Sequence, residues 1–290
     1  MVLKVVCGNG SLAEQIMMYL AIAGYVLFKP DRTGYCGTAN GVEFYQFDRR
    51  TAPWFLLKGF HVVITGYDLF LASNLTTLRV VGPLCFSRKT DQPTRWVLAC
   101  RAGWIPDAER VVSIGCELPR LAKKLLASVE KPLPFRYRIE KIDGSEEACV
   151  KYGLVDMVLA VTETGESLRA CGLEIVPGYD CLLQSTPVLL AANGLTPGQE
   201  QQLQELYLAL RTVVGAQAYV MVTFDVPAAA DIKGLDLPAA IAPTRSPLVD
   251  PLWTACEICI RRTELGSVLR KLSATGAKGI VMRDVQGYLS

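Results

Sequence analysis

The chain has 290 residues, 51% of them hydrophobic, with 30 Lys plus Arg against 28 Asp plus Glu, so it is long enough to bury substantial cores without disulfide or metal staples. A formal net charge of +2 with no basic run longer than a pair argues against nucleic acid or a membrane surface as partner and leaves small polyanions, which need only local positive potential. The opening Met1-Val-Leu-Lys-Val-Val-Cys-Gly8 lacks the apolar length of an export segment, and no stretch is apolar over the roughly 18 residues of a membrane span, so a cytoplasmic protein is expected.

Leu3 to Cys7 reads as an apolar strand, followed by the turn Gly8-Asn9-Gly10 and then Ser11 and Glu14 at the spacing of a capping box. The helix that starts there carries Leu12, Ile16, Leu20 and Ile22 and ends at Gly24. A glycine turn leading into a helix offers backbone N–H groups to an anion; a turn that needs glycine for geometry alone is the other reading. Val42 to Phe47, Trp54 to Leu57 and Val62 to Thr65 continue the alternation of strand and helix. His61, the one histidine, stands beside an apolar strand and is read as a packed or surface group with no assigned role. Trp96 to Cys100 is a strand leaving a first lobe. Pro119 to Ser128 and Phe135 to Ile142 supply a helix and a strand of a second.

Met157 to Val161 is a short apolar run suited to a strand covered on both faces, and Glu166 to Ala170 opens a helix closed by Gly172. Between and beside them Thr162, Thr164 and Ser167 place three hydroxyls within six residues, with Gly165 permitting close backbone approach. Unpaired N–H groups and the positive end of the helix dipole make such a turn a phosphate cradle; plain helix capping is the alternative. Cys181 to Ala192 then reads as one long apolar strand returning to the first lobe, and Gln199 to Val213 as a helix with Leu203, Leu206, Leu208 and Leu210. The order predicts parallel sheets with helices on both faces, in lobes formed by residues 1–95 with 180–214 and by residues 96–179, and ligands beyond the carboxyl ends of the strands.

Residues 215–290 change pattern. Tyr219 to Val226, a weak helix at Ala228 to Leu235, a short strand near Ile241, a strand at Trp253 to Arg262, a helix at Thr263 to Thr275 and a strand at Gly279 to Asp284 give a β-α-β-β-α-β order, a ferredoxin-like unit. Cys256 and Cys259 have metal-ligand spacing, but on a strand residues i and i+3 face opposite ways. The ten cysteines are therefore read as small hydrophobes in a reducing compartment, and no side-chain metal ligand is assigned.

Several of these segments share one resemblance. Gly153, Leu154, Asp156, Glu163, Thr164, Gly165, Leu168, Gly172 and Leu173 match the phosphoribosyl-diphosphate loop of ATP phosphoribosyltransferase, the first enzyme of histidine biosynthesis. Gly144-Ser-Glu-Glu147 is similar to that family's Gly-Ser-x-Glu, and Thr65-Gly66-Tyr-Asp68 to its Thr-Gly-x-Asp turn. Pro243 to Leu248, Trp253 and Gly276 to Ile280 follow its C-terminal regulatory domain in order and spacing.

The resemblance implies a two-lobed, periplasmic-binding-protein-like α/β catalytic region followed by a ferredoxin-like (ACT-like) α+β domain. It implies transfer of a phosphoribosyl group from phosphoribosyl diphosphate to N1 of ATP, with Mg2+ carried on the diphosphate and no assigned catalytic side chain. Substrate contacts are expected from Gly8, Asn9, Gly10, Ser11, Thr65, Gly66, Glu147, Asp156, Thr162, Glu163, Thr164, Gly165, Glu166 and Ser167. Histidine is expected as a feedback effector held by Asp225, Thr244 and Ala277, in a homo-oligomer of dimers or hexamers. The chain departs from the family at three places: Ala160 replaces an acidic residue, Asn9 and Ser11 stand where basic residues occur, and Glu166 stands where arginine is common. Losing one hydrogen bond to a charged group is worth roughly 1.5–3 kcal/mol, or about ten- to over a hundredfold in binding. Two alternatives to the full enzyme therefore stay open: a nucleotide-binding or regulatory relative, and a two-lobed solute-binding protein, against which the missing export segment and the C-terminal domain weigh.

Overall fold

Three β-sheets organise the described residues of the computed structural model, which are 2–10, 12–75, 77–86, 93–107, 109–230, 232, 235, 237 and 243–289. The chain packs as two compact units, Met1–Met18 with Tyr25–Tyr207 and Tyr19–Gly24 with Leu208–Ser290. None of the described helices is long and apolar enough to cross a membrane.

The first unit starts with β1 (Leu3–Gly8) and α1 (Ala13–Ile22). Next come β2 (Tyr35–Ala39) and β3 (Val42–Phe47), joined at Asn40-Gly41. Both turn residues have positive φ, 51° and 74°, the backbone that a two-residue hairpin needs to match strand twist. A 3-10 turn at Ala52–Lys58, β4 (Val62–Gly66), α2 (Tyr67–Ser73) and β5 (Arg79–Pro83) complete this stretch. β4 is buried along its whole length, as expected of an apolar run covered on both faces.

The chain then crosses into a second sheet through β6 (Thr94–Arg101), followed by β7 (Val112–Cys116), α3 (Pro119–Ala127), β8 (Tyr137–Lys141), α4 (Glu146–Lys151), β9 (Met157–Thr162), α5 (Glu166–Ala170) and β10 (Leu173–Ile175). The predicted single strand from Cys181 to Ala192 is two strands. β11 (Leu183–Ser185) pairs antiparallel with β6 in the second sheet, and β12 (Pro187–Ala191) lies antiparallel to β4 and β5 in the first. The break at Thr186 lets the chain change sheets, with the Thr186 hydroxyl donating to the Leu84 carbonyl. The first sheet has the order β2-β3-β1-β4-β12-β5, and the second β10-β6-β9-β7-β8 with β11 beside β6. Both are mixed rather than parallel, because each receives the antiparallel crossing strands in addition to the parallel cores β3-β1-β4 and β8-β7-β9. The second sheet buries Trp96, Leu98, Ile114 and Met157 on one face, and Val97, Val158 and Ala160, with Leu168 of α5 packed beside them, on the other. α6 (Pro197–Ala216) follows, with Leu203, Leu206 and Leu210 buried.

In the second unit β13 (Tyr219–Pro227), β14 (Thr244–Pro247), β15 (Trp253–Arg261), α7 (Leu265–Ala274) and β16 (Lys278–Asp284) form the antiparallel sheet β14-β15-β13-β16. That strand order is the ferredoxin-like one. Val220, Val222, Phe224 and Val226 alternate inward to meet Val268 and Leu272 of α7. Where a helix is predicted from Ala228, residues 228–230 turn, and Asp231, Lys233 and Gly234 lie outside the described residues, as does Ile241. Cys256 is buried and Cys259 half-buried on the other face of β15.

Candidate functional site

The carboxyl ends of the parallel strands in the two sheets of the first unit converge on a cleft of about 470 Å3, where open α/β sheets hold ligands. β1 contributes Gly8 and then Asn9, and β4 contributes Thr65 and Gly66; the segment after β3 brings Arg49. From the second sheet come Glu117 after β7, Glu146 and Glu147 at the start of α4, Ala160 on β9 and Ser167 on α5. Of the residues read from the sequence as substrate contacts, Gly8, Asn9, Thr65, Gly66, Glu147 and Ser167 line this cleft.

Most polar groups in the cleft are already engaged. Asn9 Oδ1 accepts the Arg49 backbone N–H at 3.0 Å. The Arg49 guanidinium donates to both oxygens of Glu117 at 2.6 and 2.8 Å, joining the two sheets' ends across the cleft. Gly10, at φ 101°, lies where a Cβ would come 3.1 Å from the Arg49 side chain, so the glycine makes room for that arginine. Asp68 accepts from Ser185 Oγ at 2.9 Å and from the Trp96 indole at 3.1 Å. Thr65 is an exception. It is 3% exposed, lines the cleft, and its hydroxyl has no hydrogen-bond partner among the described residues. A buried hydroxyl left unpaired costs about 1–3 kcal/mol, which a ligand atom would recover.

The β9–α5 turn is built by its own hydroxyls. Thr162 Oγ1, buried, accepts the Gly165 N–H at 2.9 Å, and Thr164 Oγ1 accepts the Glu166 N–H at 3.4 Å. A hydroxyl accepting in this way still has its hydrogen to donate outward. Gly165 has φ 74°, and a Cβ there would lie 2.9 Å from the Arg169 guanidinium, so the glycine admits a cation next to the turn. Ser167 Oγ donates to Glu147 at 2.9 Å. Glu163, Thr164, Gly165 and Glu166 belong to this turn, while Ser11 lies outside the described residues.

Asp156 sits elsewhere. It is 6% exposed at the foot of β9, accepts the Ser113 N–H at 2.8 Å and the Ser113 hydroxyl at 2.7 Å, and pairs with Arg110. Burial alone would raise its pKa, but the Ser113 donors and the Arg110 charge outweigh it and hold the carboxyl below the ordinary range.

Glu146 behaves in the opposite sense. Burial, followed by the neighbouring Glu117 and Glu147 carboxylates, pushes its pKa up. Arg49, Glu117 and Glu146 were not singled out as site residues from the sequence. The Arg49-Arg50 pair immediately after the strand Val42 to Phe47 is the signal that would have pointed to the first.

In the second unit Asp225 and Thr244 share the open face of the sheet, since Asp225 pairs with Ala255 and Thr244 with Glu257 two residues along β15. Ala277 packs instead with the core on the helix side.

The fold and the cleft define a two-lobed α/β protein of periplasmic-binding-protein-like architecture, ending in a ferredoxin-like domain. Residues 54–212 match the family model described as ATP phosphoribosyltransferase, and residues 216–286 match that of the HisG C-terminal domain. An ATP phosphoribosyltransferase of Salinispora tropica is 30% identical over 283 residues, 96% of each chain. One of Nitratidesulfovibrio vulgaris is 30% identical over 289 residues, covering 96% of this chain and 95% of the relative. The solved ATP phosphoribosyl transferase (HisG:HisZ) complex of Thermotoga maritima contains a chain similar in fold, with a TM-score of 0.60 at 21% identity, matched along 75% of this chain and 100% of that one. The chain belongs to the ATP phosphoribosyltransferase family, the phosphoribosyl-transferring enzymes of histidine biosynthesis.

Proposed function

We propose that this chain moves the phosphoribosyl group of phosphoribosyl diphosphate onto N1 of ATP. The N1–C1′ bond forms as the bond from C1′ to the diphosphate oxygen breaks, and diphosphate leaves with the electron pair. Positive charge builds on the ribose, so the protein's work is to position two anions and stabilise the departing one. The observation that carries this reading is the cleft: at strand ends, with an unpaired buried Thr65 hydroxyl on one side and, on the other, Val161 and Ser167, the lining residues that flank the hydroxyl turn.

In this reading the turn and the Arg169 guanidinium hold the 5′-phosphate, and Thr65 with the Gly66 backbone meets the diphosphate. Arg49 is the one cationic side chain among the described cleft-lining residues, against the carboxylates of Asp68, Glu117, Glu146 and Glu147. A polyanion enters such a lining with its own counter-ion. That counter-ion is Mg2+, which keeps several waters and binds through substrate phosphates with few protein ligands.

The C-terminal domain binds histidine as feedback effector, with Asp225 accepting from the ligand's ammonium group and Thr244 donating its hydroxyl to an acceptor atom of the ligand, in a cytoplasmic homo-oligomer. Equilibrium dialysis of histidine on the full chain and on Asp225→Asn checks this: equal binding to both, or to neither, removes the effector assignment. The substrate assignment is tested by calorimetric titration of magnesium phosphoribosyl diphosphate into wild type and a Thr164→Ala, Ser167→Ala double variant. The expected result is affinity about tenfold or more weaker in the variant; equal affinity takes the turn out of the site.

A further inference from the structure

Four carboxylates line the cleft, and three have side-chain or indole donors within the protein: Asp68 from Ser185 and Trp96, Glu117 from Arg49, and Glu147 from Ser167. Glu146 is different. Among the described residues it has no ion-pair partner, and its carboxyl draws a hydrogen bond from its own backbone N–H. The backbone holds it there at a cost, because the two residues before it, Gly144 and Ser145, both have left-handed φ, 83° and 57°. A serine in that conformation is uncommon and carries strain. The strain turns the chain sharply into α4, which packs against β9, the strand that carries Ala160. Ala160 is 7% exposed and lines the same cleft with a methyl group that accepts nothing.

Resting on the phosphoribosyl-transfer reading, we propose that Glu146 is the carboxylate that accepts the ribose hydroxyls of phosphoribosyl diphosphate, doing from α4 what residue 160 cannot do from β9. The two oxygens of a carboxylate match the two O–H donors of a vicinal diol. A hydroxyl pair also suits this location better than a bare cation does, since no three-ligand set forms among the described residues. Burial and the nearby carboxylates raise the proton affinity of Glu146, and a more basic carboxylate is a better acceptor for a neutral hydroxyl. Glu146 is therefore a substrate-positioning residue. It occupies the variable position of the Gly-Ser-x-Glu segment, which explains why the motif alone does not flag it.

The test is calorimetry with three probes on the full chain: magnesium phosphoribosyl diphosphate, ribose 5-phosphate and 2-deoxyribose 5-phosphate. Wild type is expected to prefer ribose 5-phosphate over its deoxy counterpart by about tenfold. Glu146→Gln is expected to erase that preference while binding the deoxy sugar within about twofold of wild type, which also shows that the variant is folded. Adding Ala160→Asp to Glu146→Gln restores the preference. A Glu146→Gln variant that keeps the wild-type preference overturns the proposal, and loss without restoration by Asp at 160 overturns the equivalence of the two positions. A wild-type chain that does not bind phosphoribosyl diphosphate at all overturns the underlying functional reading instead.

Discussion

Asp156→Ala separates a structural carboxylate from a substrate-binding one. The wild-type side chain takes two hydrogen bonds from Ser113, at 2.8 and 2.7 Å, where both residues are buried. A hydrogen bond to a charged group contributes roughly 1.5–3 kcal/mol. Removing the carboxylate strands the buried Ser113 N–H, while the Ser113 hydroxyl keeps its other bond, accepting the Asp156 backbone N–H at 3.0 Å. The Arg110 partner is 61% exposed on its side chain, so its ion pair adds about 1 kcal/mol or less after solvent screening. The expected loss is about 3 kcal/mol of unfolding free energy, read from urea denaturation followed by tryptophan fluorescence. Phosphoribosyl diphosphate affinity is expected to stay within about threefold in the folded variant. The wild-type contribution also depends on pH: with its folded pKa depressed, Asp156 stabilises the protein above the ordinary carboxylate pKa of about 3.9, and that stability is lost as pH falls through the folded value. A variant that loses less than about 1 kcal/mol but binds substrate more than tenfold more weakly refutes this reasoning and returns Asp156 to the cleft.

Three further outcomes are expected. His61 Nδ1 accepts the Lys4 N–H at 2.9 Å and Nε2 faces the Gln199 amide at 3.1 Å; burial first, then the Lys4 charge, lowers its pKa. The unfolded chain takes up the proton first, so stability is full above about pH 6.5 and declines as pH falls from there toward the depressed folded value; a His61→Gln variant showing the same decline would contradict this. Gly165→Ala forces a left-handed alanine at φ 74° with its Cβ 2.9 Å from Arg169, costing about 1–2 kcal/mol in thermal or urea unfolding and weakening phosphoribosyl diphosphate binding. Gly82→Ala places a methyl 1.9 Å from the Tyr207 hydroxyl, and urea denaturation should show a loss of about 1–3 kcal/mol with no change in substrate affinity beyond about twofold.

Elements with strong local patterns were legible in the sequence. Met157 to Val161 and Glu166 to Ala170 emerge as β9 and α5 because an apolar run, a hydroxyl turn and a closing glycine agree with one another. The hairpin at Asn40-Gly41 was legible in principle, yet its strand Tyr35–Ala39 carries Gly37 and Thr38 in place of an apolar alternation. The division of Cys181 to Ala192 between two sheets was hidden for a different reason. Both halves are apolar, and what separates them is tertiary pairing, with β6 on one side and β4 with β5 on the other. Of the cleft-lining residues, Ser167 was legible from the hydroxyl turn beside it, and Thr65, Gly66 and Glu147 from the resemblance of their segments to the family. Arg49, Glu117 and Glu146 come from three separate segments, and only the fold brings them to one cleft. Asp156, next to the motif in sequence, faces Ser113 because it lies at the other end of β9 from the turn.

The most direct measurement is product formation with ATP, phosphoribosyl diphosphate and Mg2+ supplied together, following diphosphate release and N1-phosphoribosyl-ATP by chromatography and mass. The expected result is equal amounts of the two products, neither of them formed when either substrate is left out. A folded chain that binds both substrates yet yields no N1-phosphoribosyl-ATP contradicts the account.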